Sequence, residues 1–338
     1  MAEFLFTDEQ IQLRAAISKF ASEQAGEAAA RRVMESDPPF DPTVWRRLGA
    51  ELGVLGLSVP EADGGAGGTL VDQAIAVEEL GAALACGPMF GTVYLAIPAL
   101  VAASGAGRAE LLEDLVEGRR TAAFAVPDRA GVFDPALVAV TVDGDGALTG
   151  TVPRVVDGGA ADVLLCAATG PGGLGLYAVD TTGPAVTRTT LGTLDLTRPQ
   201  AVVELSRAPG TLVAGPEEAD AVITQALQVG AALLAAEQVG AGQHLLDLAV
   251  DYAKTRLQFG RPIGSFQAVK HKLADMLVDL EHARSAAYHA VWALTDGTDD
   301  PAVATGIAQA VASAAFSRIA RDTVQVLGWD RAAQDGVF

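Results

Sequence analysis

Little in this chain marks it for secretion, for metal or for nucleic acid. Cysteine appears twice in 338 residues, at Cys86 and Cys166. That rules out a disulfide framework and points to a reducing compartment, so a cytoplasmic protein is expected. Positive charge is scarce: 23 Lys and Arg stand against 42 Asp and Glu, a formal net charge of −19. Such a balance excludes nucleic acid and an anionic membrane surface as partners. An anionic small ligand remains possible, because it needs only a local basic patch. The histidines His244, His271, His282 and His289 show no metal-ligand grouping. Aromatics make up 5% of a chain that is half hydrophobic, so much of the apolar content is alanine, suited to close helix packing. No run is expected to cross a membrane, since the longest apolar stretch, Val229 to Val239, carries Glu237. The opening MAEFLFTDEQ has neither the basic nor the long apolar region of a signal peptide.

What is present falls into three textures. Thr7 followed by Gln10 predicts a capping box for a first helix, with Phe6 and Ile11 as a hydrophobic staple. Helical patterns follow at roughly 42–53, 70–84, 92–103 and 107–117, interrupted by the turn-rich PEADGGAGG. From about Thr121 short segments rich in β-branched residues alternate with Gly, Pro and Asp clusters, and Asp128 reads as a turn residue. After Pro216 the helical pattern returns, in one long helix to about Arg256, a second capped by Ser265, and a third opened by Asp300-Pro301 and ending near Leu327. In the second, Phe266, Val269, Leu273, Met276, Leu280 and Arg284 line one face. The order is helices, strands, helices, without βαβ alternation. The expected class is therefore α+β multidomain: an N-terminal helical domain (1–118), a middle β domain (119–215) and a C-terminal helical bundle (216–338).

Basic and aromatic residues concentrate in RLQFGRPIGSFQAVKHKLADM, residues 256–276. Arg256 and Gln267 flank a tight turn with Phe259 between them. An arginine can pair bidentately with phosphate, an amide adds a donor, and a phenyl ring can cover a flat heterocycle. By composition alone such a turn is more often a plain helix connection. The spelling R-x-x-F-G-x-x-I-x-x-F-Q, followed by K-x-A-D-M, resembles the flavin-contacting signature of the acyl-CoA dehydrogenase family. The preceding LLAAEQVGAGQHLLDLAVDYAKTR is similar to that family's long C-terminal-domain helix.

The resemblance implies the family fold, with a β-barrel-like middle domain. It also implies FAD, an acyl-CoA thioester dehydrogenated between its α and β carbons, and an electron-transfer flavoprotein as acceptor. By the same resemblance Arg256 pairs with the FAD pyrophosphate of a neighbouring subunit. Phe259 packs near that FAD, and Gln267 lies on its pyrophosphate side. T-V-Q-V-L-G at 323–328 resembles the family's Q-x-x-G-G segment, with Gln325 and Gly328 as matching positions.

Three departures accompany the match. One branch of the family carries its catalytic glutamate about 26 residues before the motif arginine, where this chain has Gly230; the other places it beyond Phe338. The stretches aligned with the family's flavin-ring contacts read AVPDRAGVFD (125–134) and VPRVVDGGAAD (152–162), and the second has no aromatic. Trp329 stands where a second glycine is expected. Glu237, two helical turns from Gly230, is the one substitute base worth weighing, although a shift of roughly 10 Å places it poorly. Together these resemble the degenerate subunit of actinobacterial α2β2 acyl-CoA dehydrogenases of sterol breakdown, which completes the FAD site of a catalytic chain. The alternatives at this point are a self-sufficient homotetrameric dehydrogenase, a scaffold that binds neither FAD nor acyl-CoA, and a flavin oxidase or monooxygenase on the same fold.

Overall fold

The computed structural model describes residues 6–129, 131–297 and 299–328. By packing, the chain forms two compact units, and neither is contiguous in sequence.

The first unit comprises residues 1–28, 70–85 and 232–338. Helix α1 (Asp8–Gln24) opens with the expected capping box, Thr7 and Gln10 each bonding the other's backbone. The staple does not form: Ile11 is 55% exposed. Phe6 instead packs edge-on against Tyr288 at 5.3 Å, beneath the Arg14 guanidinium.

Arg14 belongs to a buried ionic cluster with Glu78, a carboxylate only 3% exposed. Glu78 accepts from Arg14 at 3.1 Å, from the Tyr288 hydroxyl at 2.6 Å, and from Arg284. Desolvation works against the Arg14 charge, but Glu78, with Tyr288 and Glu79, more than offsets it and raises its pKa. Burial, then the charge of Glu78, pushes the Tyr288 hydroxyl well above the ordinary phenol value.

Two long helices, α8 (Gln267–Asp296) and α9 (Pro301–Leu327), pack as a hairpin. Arg318 to Asp279 (2.7 and 2.8 Å) and Lys272 to Asp322 (2.5 Å) fix their antiparallel register. Asp300 caps α9 by accepting from the amide of Ala302, with Pro301 at the first helical position, as its sequence predicts.

The second unit comprises residues 29–69 and 86–231. Helix α2 (Glu27–Met34), which periodicity does not reveal, begins at the edge of the first unit. It is followed by α3 (Pro42–Arg46), and α4 (Leu70–Ala82) belongs to the first unit. A π-helical segment, Met89–Ala96, leads into α5 (Ile97–Ala102), and α6 (Arg108–Val116) follows.

The strands are β1 (Ala122–Ala125), the small hairpin β2 (Asp128–Arg129) and β3 (Val132–Phe133), β4 (Thr141–Val142), β5 (Ala147–Val156), β6 (Val163–Gly170), β7 (Gly173–Asp180), β8 (Val186–Thr190) and β9 (Gln200–Ala214). Pairing runs β6–β4–β5–β9–β7 and returns from β7 to β6, so five strands close into a barrel, with β1 and β8 attached. Closure leaves those five without a free edge. Small residues fill the interior, among them Ala123, Ala168, Ala208 and Cys166. The segment APGTLVA reads as a closing loop but forms the last part of β9.

Helix α7 (Ala219–Thr255) begins in the second unit and ends in the first. Contrary to the expectation from sequence, α7 and α9 are each long and apolar enough to cross a membrane by length and composition. Their apolar content is largely alanine spent on helix contacts: α9 buries Ala304, Ala308, Ala312 and Ala315.

Candidate functional site

The end of the first unit where α7 gives way to α8 gathers the sequence-singled residues. Between the helices, β10 (Leu257–Gln258) and β11 (Arg261–Pro262) form a two-residue hairpin. Its tip is Phe259-Gly260, with φ of +53° and +78°. That is the primed turn matching strand twist, which ordinarily takes Asn-Gly or Gly-Gly. A phenylalanine held in this left-handed region costs about 1–2 kcal/mol. Yet the residue is 91% exposed, its ring set edge-on to Phe266 with 6.1 Å between centroids. An exposed aromatic ring on a strained backbone makes the tip a candidate contact surface.

Arg256 follows the last residue of α7. Its carbonyl accepts from Ile263 at 2.9 Å, closing the hairpin onto the helix end. Its guanidinium is exposed and has no partner among the described residues. Gly264 permits the fold-back: a Cβ there would stand 2.9 Å from the Ala253 carbonyl oxygen.

Ser265 is not the cap of α8. It lies in the short turn Ile263–Ser265, so the helix starts one residue later. Phe266 occupies the cap position and offers no side-chain acceptor. The first amides of α8, at Gln267, Ala268 and Val269, therefore lack a side-chain cap. Ser265 Oγ is buried without a hydrogen-bond partner. An uncapped helix start, an exposed arginine, an orphaned hydroxyl and an amide side chain at Gln267 are groups of the kinds that can bind phosphate. Arg261, which sequence reasoning passed over, stacks its guanidinium 4.1 Å over Phe266 and adds charge nearby.

The α8–α9 register brings in the other predicted pair. Lys272 and Asp322 are opposite one another, and Gln267 and Gln325 both lie beyond them toward the same end of the hairpin. Gln325 is exposed in the last turn of α9, and Gly328 is its C-cap at φ +78°. Trp329 lies outside the described residues.

The catalytic positions tell another story. Gly230 is buried in the second unit, and a Cβ on it would stand 2.5 Å from Leu95 Cδ2, on the π-helical segment. Leu95 occupies the space a side chain at 230 would need. Glu237 is half-buried in the first unit, and its carbonyl and Cγ lie 2.5 and 2.9 Å from where a Cβ on Gly81 would stand. Its stem is thus part of the contact with α4.

In the barrel, Asp128 Oδ1 accepts from the Gly131 amide at 2.7 Å, the turn role its sequence suggests. The 152–162 segment supplies a buried carboxylate in place of an aromatic: Asp157 accepts from the Gly91 amide at 3.0 Å and so holds the π-helical segment. His244, His271 and His282 are exposed, His289 lies 3.1 Å from Asp299, and no group of metal-ligating side chains exists among the described residues.

Comparison with known proteins decides the family. Residues 7–119 match the acyl-CoA dehydrogenase N-terminal domain and residues 221–336 the acyl-CoA dehydrogenase C-terminal domain. The chain belongs to the acyl-CoA dehydrogenase family. It is similar to the acyl-CoA dehydrogenase IpdE2 of Mycolicibacterium smegmatis, 34% identical over 95% of this chain and 87% of that protein. It is also similar to the acyl-CoA dehydrogenase FadE34 of Mycobacterium tuberculosis, 36% identical over 95% of this chain but only 43% of that one. Among solved structures it resembles a Tcur3481-Tcur3483 steroid acyl-CoA dehydrogenase variant, with TM-score 0.85 and 31% identity over 97% of this chain and 89% of that one. The ChsE4-ChsE5 complex from Mycobacterium tuberculosis gives TM-score 0.84 and 28% identity over 96% and 88%.

Proposed function

We propose that this chain is the non-catalytic subunit of a cytoplasmic, FAD-dependent acyl-CoA dehydrogenase. In this reading it completes the FAD site of a catalytic partner in an α2β2 assembly. The bound flavin would take up hydride from the β carbon of an acyl-CoA thioester and pass electrons to an electron-transfer flavoprotein. This chain's contribution is to hold the cofactor: Arg256, the uncapped amides of α8 and Gln267 take the pyrophosphate, Phe259 covers the cofactor, and Gln325 with Gly328 line the same end.

One contrast carries the proposal. Arg256, Phe259 and Gln267, the residues that would meet the cofactor, are present and exposed, whereas position 230 has no side chain and its space is filled by Leu95. Two further observations support it. The 152–162 segment has no aromatic to lie on a flavin ring. FadE34 is more than twice as long as the segment this chain matches, room for a second such segment within one polypeptide. The steroid dehydrogenase variant and the ChsE4-ChsE5 complex carry two protein names each, in keeping with paired subunits, and the first, a steroid enzyme by name, favours a bulky steroid-like acyl group as the substrate of the assembly.

The test is to purify the chain alone and together with a catalytic acyl-CoA dehydrogenase subunit, recording the flavin spectrum and the FAD-to-protein ratio. Flavin only in the pair, at about one per two chains, is expected. A yellow lone chain that an acyl-CoA bleaches would overturn the reading and make Glu237 the base, in which case Glu237→Gln would abolish turnover while keeping FAD. In the proposed assembly Glu237→Gln leaves turnover unchanged.

A further inference from the structure

Among the described residues, five besides glycine hold a left-handed backbone: Leu84, Arg154, Asp157, Arg207 and Phe259, with φ between +50° and +61°. That region strains any residue carrying a Cβ, and such residues persist where surrounding contacts hold them, often at sites of function. Leu84 ends α4, its amide donating to the Gly81 carbonyl at 3.1 Å. Asp157 accepts from the Gly91 amide, and Arg207 donates to Asp143 at 2.6 Å. Phe259 is the hairpin tip of the candidate cofactor site. Arg154, at φ +57°, has neither kind of support. Its side chain is exposed, and no hydrogen bond or ion pair reaches its guanidinium among the described residues.

A bulge sets its direction. On β5 and β9 Val152 pairs with Val203 and Val155 with Ala201, so Pro153 and Arg154 together oppose Val202. A bulge adds one residue to one strand and re-aims a side chain, and Pro153, with no amide to give the ladder, fits such a place. Val152 and Val155 turn to the barrel interior, and Arg154 turns out. Residues paired across a sheet share a face, so the next outward row is Thr151, Glu204 and Thr187, on β5, β9 and β8. All three are exposed, and Glu204 likewise has no partner among the described residues. One cation and one anion thus stand in neighbouring rows of one outer face without pairing.

We propose that this outer face of β5, β9 and β8 docks the catalytic partner, Arg154 receiving a carboxylate of that chain and Glu204 a basic side chain beside it. The proposal rests on the paired-subunit reading above. A planar guanidinium fork fits a single carboxylate with two parallel hydrogen bonds, and arginine is a residue on which interfaces concentrate their binding energy. A phosphate-bearing small ligand is the poorer occupant. The two rows hold no second cation, Glu204 opposes a further negative charge, and small ligands favour concave sites over the outer face of a sheet. A second copy is also poorer, since it brings its own net charge of −19 to a contact made by exposed charges.

The test is the dissociation constant of this chain with a catalytic acyl-CoA dehydrogenase subunit, measured at low and at high salt. Arg154→Glu should weaken the pair by about tenfold or more at low salt, and by less at high salt, where exposed charges are screened. Glu204→Lys should act in the same way. Arg46→Glu makes the same charge change at an exposed arginine of α3 and should leave the affinity as it was. Asparagine tolerates the left-handed backbone, so with Arg154→Asn the lone chain should melt no lower than the unsubstituted one while the pair weakens. That separates a lost contact from a damaged fold. Unchanged affinity of the Arg154 variants would overturn the proposal, as would an equal loss with Arg46→Glu. Altered self-association of the lone chain with Arg154→Glu would give the face to a second copy instead. A rise in lone-chain melting temperature with inorganic phosphate, removed by Arg154→Asn, would give it to a small anion, and either result overturns the proposal. Failure of the paired-subunit reading looks different: the unsubstituted chain then forms no complex with the catalytic subunit.

Discussion

Leu95 Cδ2 stands 2.5 Å from where a Cβ on Gly230 would be, so the position that holds the base in one branch of the family is closed from the opposite side of the packing. The absent carboxylate and the neighbour that fills its space are one structural fact. A glutamate placed at 230 has to displace a buried leucine and bury a charge in an apolar setting. Gly230→Glu is therefore expected to destabilise the chain by about 1–3 kcal/mol and to restore no activity by itself. Gly230→Glu with Leu95→Ala should recover part of that loss, read as a coupling energy in urea titrations of the four variants. Strict additivity would show that the two sites do not share this space.

The Arg256 side chain is exposed and without a partner among the described residues, so Arg256→Ala should change the stability of the lone chain by no more than about 0.5 kcal/mol. In the proposed pair, where Arg256 would donate to the FAD pyrophosphate, the same change should cost about 1.5–3 kcal/mol, or roughly ten- to hundredfold in FAD affinity. Retention of FAD on gel filtration, against the unsubstituted pair, separates the two effects. Equal retention would remove Arg256 from the cofactor site.

Phe259 has a conformation that suits asparagine better. Phe259→Asn should raise the stability of the lone chain by up to about 1 kcal/mol, because asparagine tolerates a φ of +53°. The same change should lower flavin retention in the pair. A residue that weakens its own fold and strengthens an assembly gives opposite signs in these two measurements, and matching signs would count against the role.

Glu78 sits buried between Arg14, Arg284 and Tyr288. Glu78→Gln removes the most deeply buried charge facing two guanidinium groups, leaving Arg14 with Glu79 and Arg284 with Glu281, and should cost up to about 3–5 kcal/mol. The readout is the urea midpoint of the lone chain. Glu79, with its side chain 15% exposed, pairs with Arg14, which keeps Glu78 when Glu79 is neutralised, and Glu79→Gln should cost less.

Alkaline pH should expose the buried thiol. Burial pushes Cys166 up to about 12, from an ordinary value near 9. The folded state keeps its proton while the unfolded chain loses it, so stability is full below pH 9 and falls as pH rises toward 12. One proton corresponds to about 1.4 kcal/mol per pH unit. Tyr288 adds a loss of the same sign above pH 10, the ordinary phenol value, because burial raises it as well. Cys166→Ala should flatten the slope between pH 9 and 10 relative to the unsubstituted chain, after correction for its smaller volume.

Much was legible in the residues because it is local. Capping chemistry at Thr7 and Asp300 depends on the next few residues, and both caps form. The motif arginine, phenylalanine and glutamine at 256, 259 and 267 were readable as a spelling, and so was glycine at 230. Non-local relationships were out of reach. Ser265 looks like a cap, but the preceding turn uses it and leaves the helix start bare. Phe6 looks like a staple for Ile11, yet its ring goes to Tyr288, far along the chain, because a buried aromatic contact outweighs a local one. The left-handed Phe259 could have been suspected from a Phe-Gly pair at a two-residue hairpin tip. Nothing in the sequence puts Leu95 beside Gly230, or leaves one face of α9 uncovered while the other is packed. Those are decided by which surfaces meet in the folded chain: a composition fixes how apolar a helix is, and tertiary contacts fix which side of it stays in water.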